Sequence, residues 1–240
     1  MTNPIQGPID GLAGRIWRTV TFPLRAAAPF VLLARRTLRN RRWVETVSEL
    51  GGPGPKVEVS ERDDVQAPRD GAGPLNHRTY RIKISGSRLE AHELLEAFRQ
   101  DPNRFSPTSY ATFVPDPAPQ GLQKDETFEV KLPGPWDGPI LVRAVEPSKV
   151  RLETRVGHME AGWIEFRCST QPDGLTDFTI ESFARSGDPV FDALYHQVGI
   201  GKFMQSEMWV QVLETAVEVS GGRQHGRVAI ETTTYLGADR

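Results

Sequence analysis

The sequence predicts an α+β fold in which a curved antiparallel sheet of about seven strands wraps around a long C-terminal helix, with an extra helical arm at the N-terminus. Three observations carry this expectation. Between Tyr80 and Phe183, short segments alternate apolar and polar residues with period two, and turn-forming residues separate them. A capped amphipathic helix interrupts the series after its first segment. From Asp188 a single helical pattern then runs to Val219 and stops at Gly221-Gly222.

The first third of the chain reads differently from the rest. From Met1 to Trp43 there are eight arginines and one acid, Asp10, interleaved with Leu, Ile, Val, Phe and Trp. Leu12, Ile16, Trp17 and Val20 share one helical face, and a second helical run from Phe30 to Leu50 is expected after the break at Pro29. Gly51 to Pro55 contains only Gly and Pro, and Ser60 to Pro74 is rich in charge, Asp, Gly and Pro, as linkers are; a short strand fits between them at Lys56 to Val59. The expected organisation is therefore a basic amphipathic arm over 1–50, a linker over 51–77, a sheet-and-helix domain over 78–222 and a tail over 223–240. In that tail, Arg227 to Tyr235 is either one more strand or merely extended.

Within the domain, Tyr80 to Ile84 alternates as a half-buried strand. Ser87 stands three residues before Glu90, a capping-box spacing that opens a helix carrying Leu89, Leu94, Leu95 and Phe98 and ending at Asp101-Pro102. Six strands are expected next, at Ser109–Val114, Glu126–Leu132, Ile140–Val145, Val150–Val156, Gly162–Thr170 and Thr176–Phe183. The joints Pro133-Gly134-Pro135, Glu146 to Lys149, Gly157-His158 and Gln171 to Gly174 are turn chemistries, so most neighbours should form antiparallel hairpins. Asp188 as N-cap with Pro189 at the first helical position starts the long helix.

A strand, one or two short helices, six further strands and a long terminal helix is the element order of the START-like or Bet v 1-like superfamily, also called helix-grip, which includes polyketide cyclase-like members. The chain resembles that family over about Tyr80 to Ser220. More locally, Gly157–Phe166 (GHMEAGWIEF) and Phe178–Arg185 (FTIESFAR) look like an uncharacterised, mainly actinobacterial branch, which implies a fold and no known activity. The chain departs from the usual family in carrying about 75 extra residues at its N-terminus.

Composition limits the function classes. Against 31 acidic side chains stand 29 basic ones, so the net charge of −2 gives no global attraction to nucleic acid, and no specific nucleic acid partner is expected. The single cysteine, Cys168, excludes an intramolecular disulfide framework and fits a cytoplasmic location. No run of 18 apolar residues occurs, so no transmembrane helix is expected. The arm instead suits an anionic membrane surface through Arg15, Arg18, Arg25, Arg35, Arg36, Arg39, Arg41 and Arg42, which would make the protein peripheral to a membrane. Docking of the arm on the domain is the alternative.

A sheet bent around a helix leaves volume that is filled by side chains or left for an apolar ligand. The inward positions read from alternation are Phe128, Val130, Leu132, Val142, Leu152, Val156, Ile164, Phe166, Phe178 and Ile180, facing Leu194, Val198, Phe203, Val210 and Leu213 of the helix. Thr154, Cys168 and Ser182 fall in register with them, and with Tyr110 and Tyr195 could orient a ligand's polar group. Trp136, among prolines, either lids the pocket mouth or closes one end of the core. Gly199 and Gly201 cost the helix about 1 kcal/mol each relative to alanine, which a close approach of ligand or sheet would offset. The resulting ligand-binding set is Tyr110, Phe128, Val130, Trp136, Leu152, Thr154, Ile164, Phe166, Cys168, Phe178, Ile180, Ser182, Tyr195, Val198, Gly199 and Gly201.

Catalysis has one candidate pair, His158 and Glu160, with Glu165 nearby, because an imidazole beside a carboxylate can transfer protons at neutral pH. The five histidines lack ligand spacing, so no metal is expected, and the absence of Gly-x-Gly-x-x-Gly, P-loop and Gly-x-Ser-x-Gly patterns leaves cofactors unsupported. The leading expectation is a noncatalytic module binding a small apolar or amphipathic ligand between sheet and helix. The rivals are a cyclase, dehydratase or hydrolase on the same scaffold, and an interaction protein with a filled core.

Overall fold

The computed structural model describes residues 42–106, 111–115, 121–131, 137–187 and 200–237. Among them are nine strands and three α-helices. In chain order these are β1 (Trp43–Leu50), β2 (Ala72–Ser85), α1 (Ala91–Gln100), α2 (Pro102–Phe105), β3 (Thr112–Pro115), β4 (Thr127–Lys131), β5 (Asp137–Glu146), β6 (Lys149–Thr154), β7 (Glu160–Thr170), β8 (Thr176–Ser186), α3 (Ile200–Ser220) and β9 (Arg223–Tyr235). From β2 to α3 this is strand, two helices, six strands, helix, an order consistent with a helix-grip fold.

All nine strands share one curved sheet in the order β1-β9-β2-β8-β7-β6-β5-β4-β3. Neighbours are antiparallel except β1 and β9, which run parallel with Trp43 opposite Val228 and Leu50 opposite Tyr235. The expected seven strands correspond to β2 through β8. The two additional ones are the tail, which becomes β9, and Trp43–Leu50, which is a strand rather than the end of the helical run expected to reach Leu50. Tail and first strand add to the sheet because α3 ends sharply. Gly221 turns the chain at φ 66°, and a Cβ on Gly222 would lie 2.7 Å from Ile84 Cγ2, so only a bare backbone passes this close to β2. The chain then pairs straight back along β2, starting with Arg223 opposite Ser85.

Residues 51–71 lie against the sheet. Val65 bridges Arg155, the Ser60 amide donates to the Glu153 carboxylate at 3.1 Å, and Gln66 Nε2 donates to the carbonyls of His158 and Glu160. Residues 72–77, expected as linker, belong to β2. The helix expected to open at Ser87 opens at Glu90, whose amide donates to the Glu93 carboxylate at 2.8 Å; Ser87 instead closes a local turn on the Leu89 amide.

The concave face of the sheet and the helices bury one apolar core. Tyr80, Ile82, Ile84, Phe166, Phe178, Ile180, Val228 and Ile230 line it from the sheet, and Val210, Leu213 and Ala216 from successive turns of α3. Phe98 of α1 is its hub: its ring centroid lies 4.3 Å from Phe166 and 5.5 Å from Phe105. Burying one such ring contributes about 2–3 kcal/mol. Of the expected inward residues whose side chains the structure describes, Val156 is the exception. It sits beyond the end of β6, where alternation no longer applies, and is 66% exposed.

Candidate functional site

Period-two alternation places matching residues of adjacent strands side by side. One concave row reads Ile164 of β7, Ser182 of β8, Arg78 of β2 and Thr232 of β9, and the next reads Phe166, Ile180, Tyr80 and Ile230. The second row is core except at the Tyr80 hydroxyl. The first carries polar groups on a face that is otherwise apolar, and α3 lies across both.

Three side chains link that polar row to the helix. The Glu160 carboxylate, at the start of β7, accepts from Gln205 Nε2 of α3 at 3.1 and 3.2 Å. Gln205 Oε1 in turn accepts from Arg78 Nη1. Gln205 is thus a neutral relay between a cation and an anion on different strands. Burial raises the Glu160 carboxyl above its ordinary range, with Arg78 and then Gln205 opposing. Burial likewise raises the Tyr80 phenol, which therefore stays protonated as a donor.

Thr232 Oγ1 and Trp209 Nε1 are buried atoms with no hydrogen-bond partner among the described residues, and Tyr80 Oη, equally buried, is approached by the Ser206 side chain. Tyr80 is 1% exposed and Thr232 2%, so neither hydroxyl is solvated in compensation. Ser206 of α3 lies beside Tyr80, and Trp209 follows one turn later with its ring 5.8 Å from Phe166. The arrangement offers unsatisfied donors beside Arg78, next to the apolar surfaces of Ile164, Phe166 and Trp209.

The expected site residues distribute as follows. Phe128, Leu152, Phe166, Cys168, Phe178 and Ile180 are buried core, and Val130 and Ile164 are partly buried against it. Cys168 is a packing residue whose thiol burial pushes up to about 12. The Thr154 hydroxyl is already engaged: it accepts from the Gly162 amide at 2.8 Å and donates to the Gln66 carbonyl at 2.9 Å, pinning the 51–71 segment to the sheet. Ser182 lies in the polar row, and Gly201 falls in the first turn of α3. Tyr110, Trp136, Tyr195, Val198 and Gly199 lie outside the described residues, as do Leu132, Leu194 and all the arm arginines but one. That one, Arg42, is not available to a membrane. It is 9% exposed and ion-paired with Glu207 and Glu214 of α3.

His158 and Glu160 are separately engaged. His158 Nδ1 accepts from the Glu160 backbone amide at 2.9 Å, while the Glu160 carboxylate turns to Gln205. Burial pushes the imidazole down to about 4, so it is neutral at pH 7, with its ring packed beside Gly138. Glu165 is on the opposite, convex face, where Arg151 and Arg167 hold it with no exposure. Among the described residues no group of three His, Cys, Asp or Glu is arranged to hold a metal ion, and no helix is long and apolar enough to cross a membrane.

Sequence reasoning missed Arg78, Thr232, Gln205 and Trp209. The signal for two of them was present: Arg78 continues the Tyr80, Ile82, Ile84 alternation backward, and Thr232 continues Val228 and Ile230 forward.

No protein-family model matches the chain, and no curated protein matches it. Similar solved structures include a hypothetical protein of Helicobacter pylori, 8% identical with a TM-score of 0.44, covering 59% of this chain and 86% of that one. Protein Ms6760 of Mycobacterium smegmatis is 15% identical with a TM-score of 0.40, covering 66% and 97%. The di-domain ARO/CYC protein StfQ of the steffimycin biosynthetic pathway is 12% identical with a TM-score of 0.43, covering 64% and 52%. Likenesses at this level carry nothing about activity.

Proposed function

We propose that the protein binds a small amphipathic molecule between the concave sheet and α3, without catalysis. The ligand's apolar body lies against Ile164, Phe166 and Trp209, and an oxygen-bearing head accepts from Tyr80 and Thr232. The observation that supports this reading is the buried Thr232 hydroxyl and Trp209 indole N–H, which have no hydrogen-bond partner among the described residues, beside a Tyr80 hydroxyl that Ser206 approaches. Leaving a buried donor unsatisfied costs about 1–3 kcal/mol, which an acceptor on a ligand offsets. The separate engagement of His158 and Glu160 favours binding over proton-transfer chemistry, since neither is aimed at the other.

The test is native mass spectrometry with lipid extraction on the whole protein, followed by titration with cis-parinaric acid and with anilinonaphthalene sulfonate. Ser182→Trp places an indole in the polar row and is expected to weaken probe binding at least tenfold with the thermal midpoint retained. Tyr80→Phe, which removes one donor of about 1 kcal/mol, is expected to weaken parinarate several-fold. The reading fails if nothing co-purifies and neither probe binds, or if Ser182→Trp binds both as the natural chain does.

A further inference from the structure

The convex face of the sheet, remote from the proposed ligand, carries a second feature. A groove of about 380 Å³ lies where the β5–β6 hairpin meets the turn before β4, and its wall includes Lys124, Arg143, Lys149 and Arg151. Its floor is made by Ala144, which pairs with Arg151, and the register between β5 and β6 shifts between Val142 and Ala144, leaving Arg143 as the extra residue of a bulge. A bulge re-aims the side chain it carries. Here it brings Arg143 to the rim of the same groove as Arg151.

The cations keep donors in reserve. Arg151 is held from behind: its Nε donates to Glu165 at 2.7 Å, and its guanidinium lies 4.1 Å over the Trp163 ring. Both of its Nη groups are without a hydrogen bond among the described residues. Arg143 approaches Glu153 at 3.8 Å, too far for a hydrogen bond, and Lys124 has no ion partner among the described residues. Glu165 and Glu153 are 0% and 1% exposed and sit beneath the arginines, so they orient these side chains without occupying the groove. Glu146, paired to Lys149 at 3.2 Å, is the one acid in the wall.

We propose that this groove is a phosphate-binding site for a phosphomonoester. A planar guanidinium with two open N–H groups and an ammonium opposite match a multi-oxygen dianion better than they match a single carboxylate. The volume accommodates the phosphate with part of its substituent. An extended polyanion fits poorly, because Glu146 in the wall and Glu181 farther along the same face interrupt the positive surface. The same chemistry is presented by a free phosphorylated metabolite and by the headgroup of phosphatidic acid.

The experiment separates those sources. Calorimetry of the full chain with glycerol 3-phosphate reads the free ester. Sedimentation with phosphatidylcholine vesicles, with or without one-fifth phosphatidic acid, reads the headgroup. Binding in either arm supports the site and names its source, and in that arm Lys124→Ala and Arg143→Ala should each weaken binding about tenfold, with further loss as salt is raised. Both side chains are exposed, so the thermal midpoint should hold in each variant. Absence of binding in both arms overturns the proposal, as does binding that neither substitution weakens. Ser182→Trp leaves this groove intact, so the two sites fail or hold independently.

Discussion

Burial decides the chemistry of two side chains, Cys168 and His158. With its thiol pushed up to about 12 on the Phe166 side of the core, Cys168 should be inert to a disulfide reagent at pH 8 in the folded protein and react fully once guanidine unfolds it. Fast labelling of the native chain would show that this part of the core opens. For His158 the sign is set by a depressed value. The ordinary 6.5 falls to about 4 in the folded protein, so the unfolded chain takes up its proton first as pH falls. Its contribution to stability is intact above about pH 6.5 and is lost between there and about pH 4. Glu160, raised by burial, works the opposite way, its contribution being present at low pH and lost as pH rises through the folded value. Because His158 is only half-buried, the loss between pH 7 and pH 5 is expected to be about 1–2 kcal/mol. His158→Asn keeps an acceptor for the Glu160 amide but cannot titrate, so denaturant midpoints of this variant should show that much less dependence on pH. An unchanged slope would assign the pH dependence to other groups.

At the scale of elements, the clearest dependence joins the start of β1 to α3. Glu207 is 0% exposed and has Arg42 as a counterion, with Gln211 donating to it at 3.0 Å. Removing the cation takes a counterion from a buried carboxylate, so Arg42→Ala is expected to cost about 2–4 kcal/mol in denaturant unfolding, and Arg42→Met with Glu207→Leu to recover most of that loss. A cost below 1 kcal/mol would mean that water reaches Glu207. The same element was hidden from the sequence. Trp43, Val47 and Leu50 recur at helical spacing, and period two does not stand out in Trp43–Leu50, so the strand exists only because β9 pairs with it from the far end of the chain. Strands β4 to β8 were legible because each alternates and each is bounded by its own turn residues. The site was half legible: alternation reached Ile164, Phe166 and Ser182, and stopped short of Arg78 because an arginine is an improbable inward residue until Gln205 and Glu160 are brought to it by the fold. Ser87 misled for a local reason, since its hydroxyl serves the turn before the helix and leaves the cap to Glu90.

For the whole molecule, β9 is the joint between the two ends of the chain. It is the hydrogen-bonded neighbour of β1 in the sheet and shields β2 from being an edge, and its Val228 and Ile230 are buried against the core. A chain ending at Gly222 keeps the complete β2-to-α3 order, with its seven strands and the Phe98 hub. It removes the ladder on which β1 depends, exposes the long β2 edge, and leaves β1 held to the rest only by side chains, among them the Arg42 ion pairs to α3 and the packing of Trp43. An isolated strand tethered in this way is not stable in water. Hydrogen exchange of the shortened chain is therefore expected to show β1 amides exchanging at unstructured rates while those of β7 and β8 remain protected. If the exposed β2 edge makes the shortened chain aggregate, full-length Ile230→Pro reads the same dependence, because it deletes one N–H at the centre of β9. Protection of β1 in the absence of an intact β9 would show that the ion pairs and the packing of Trp43 hold it without the ladder, and that the first strand was added to the sheet by α3 rather than by the tail.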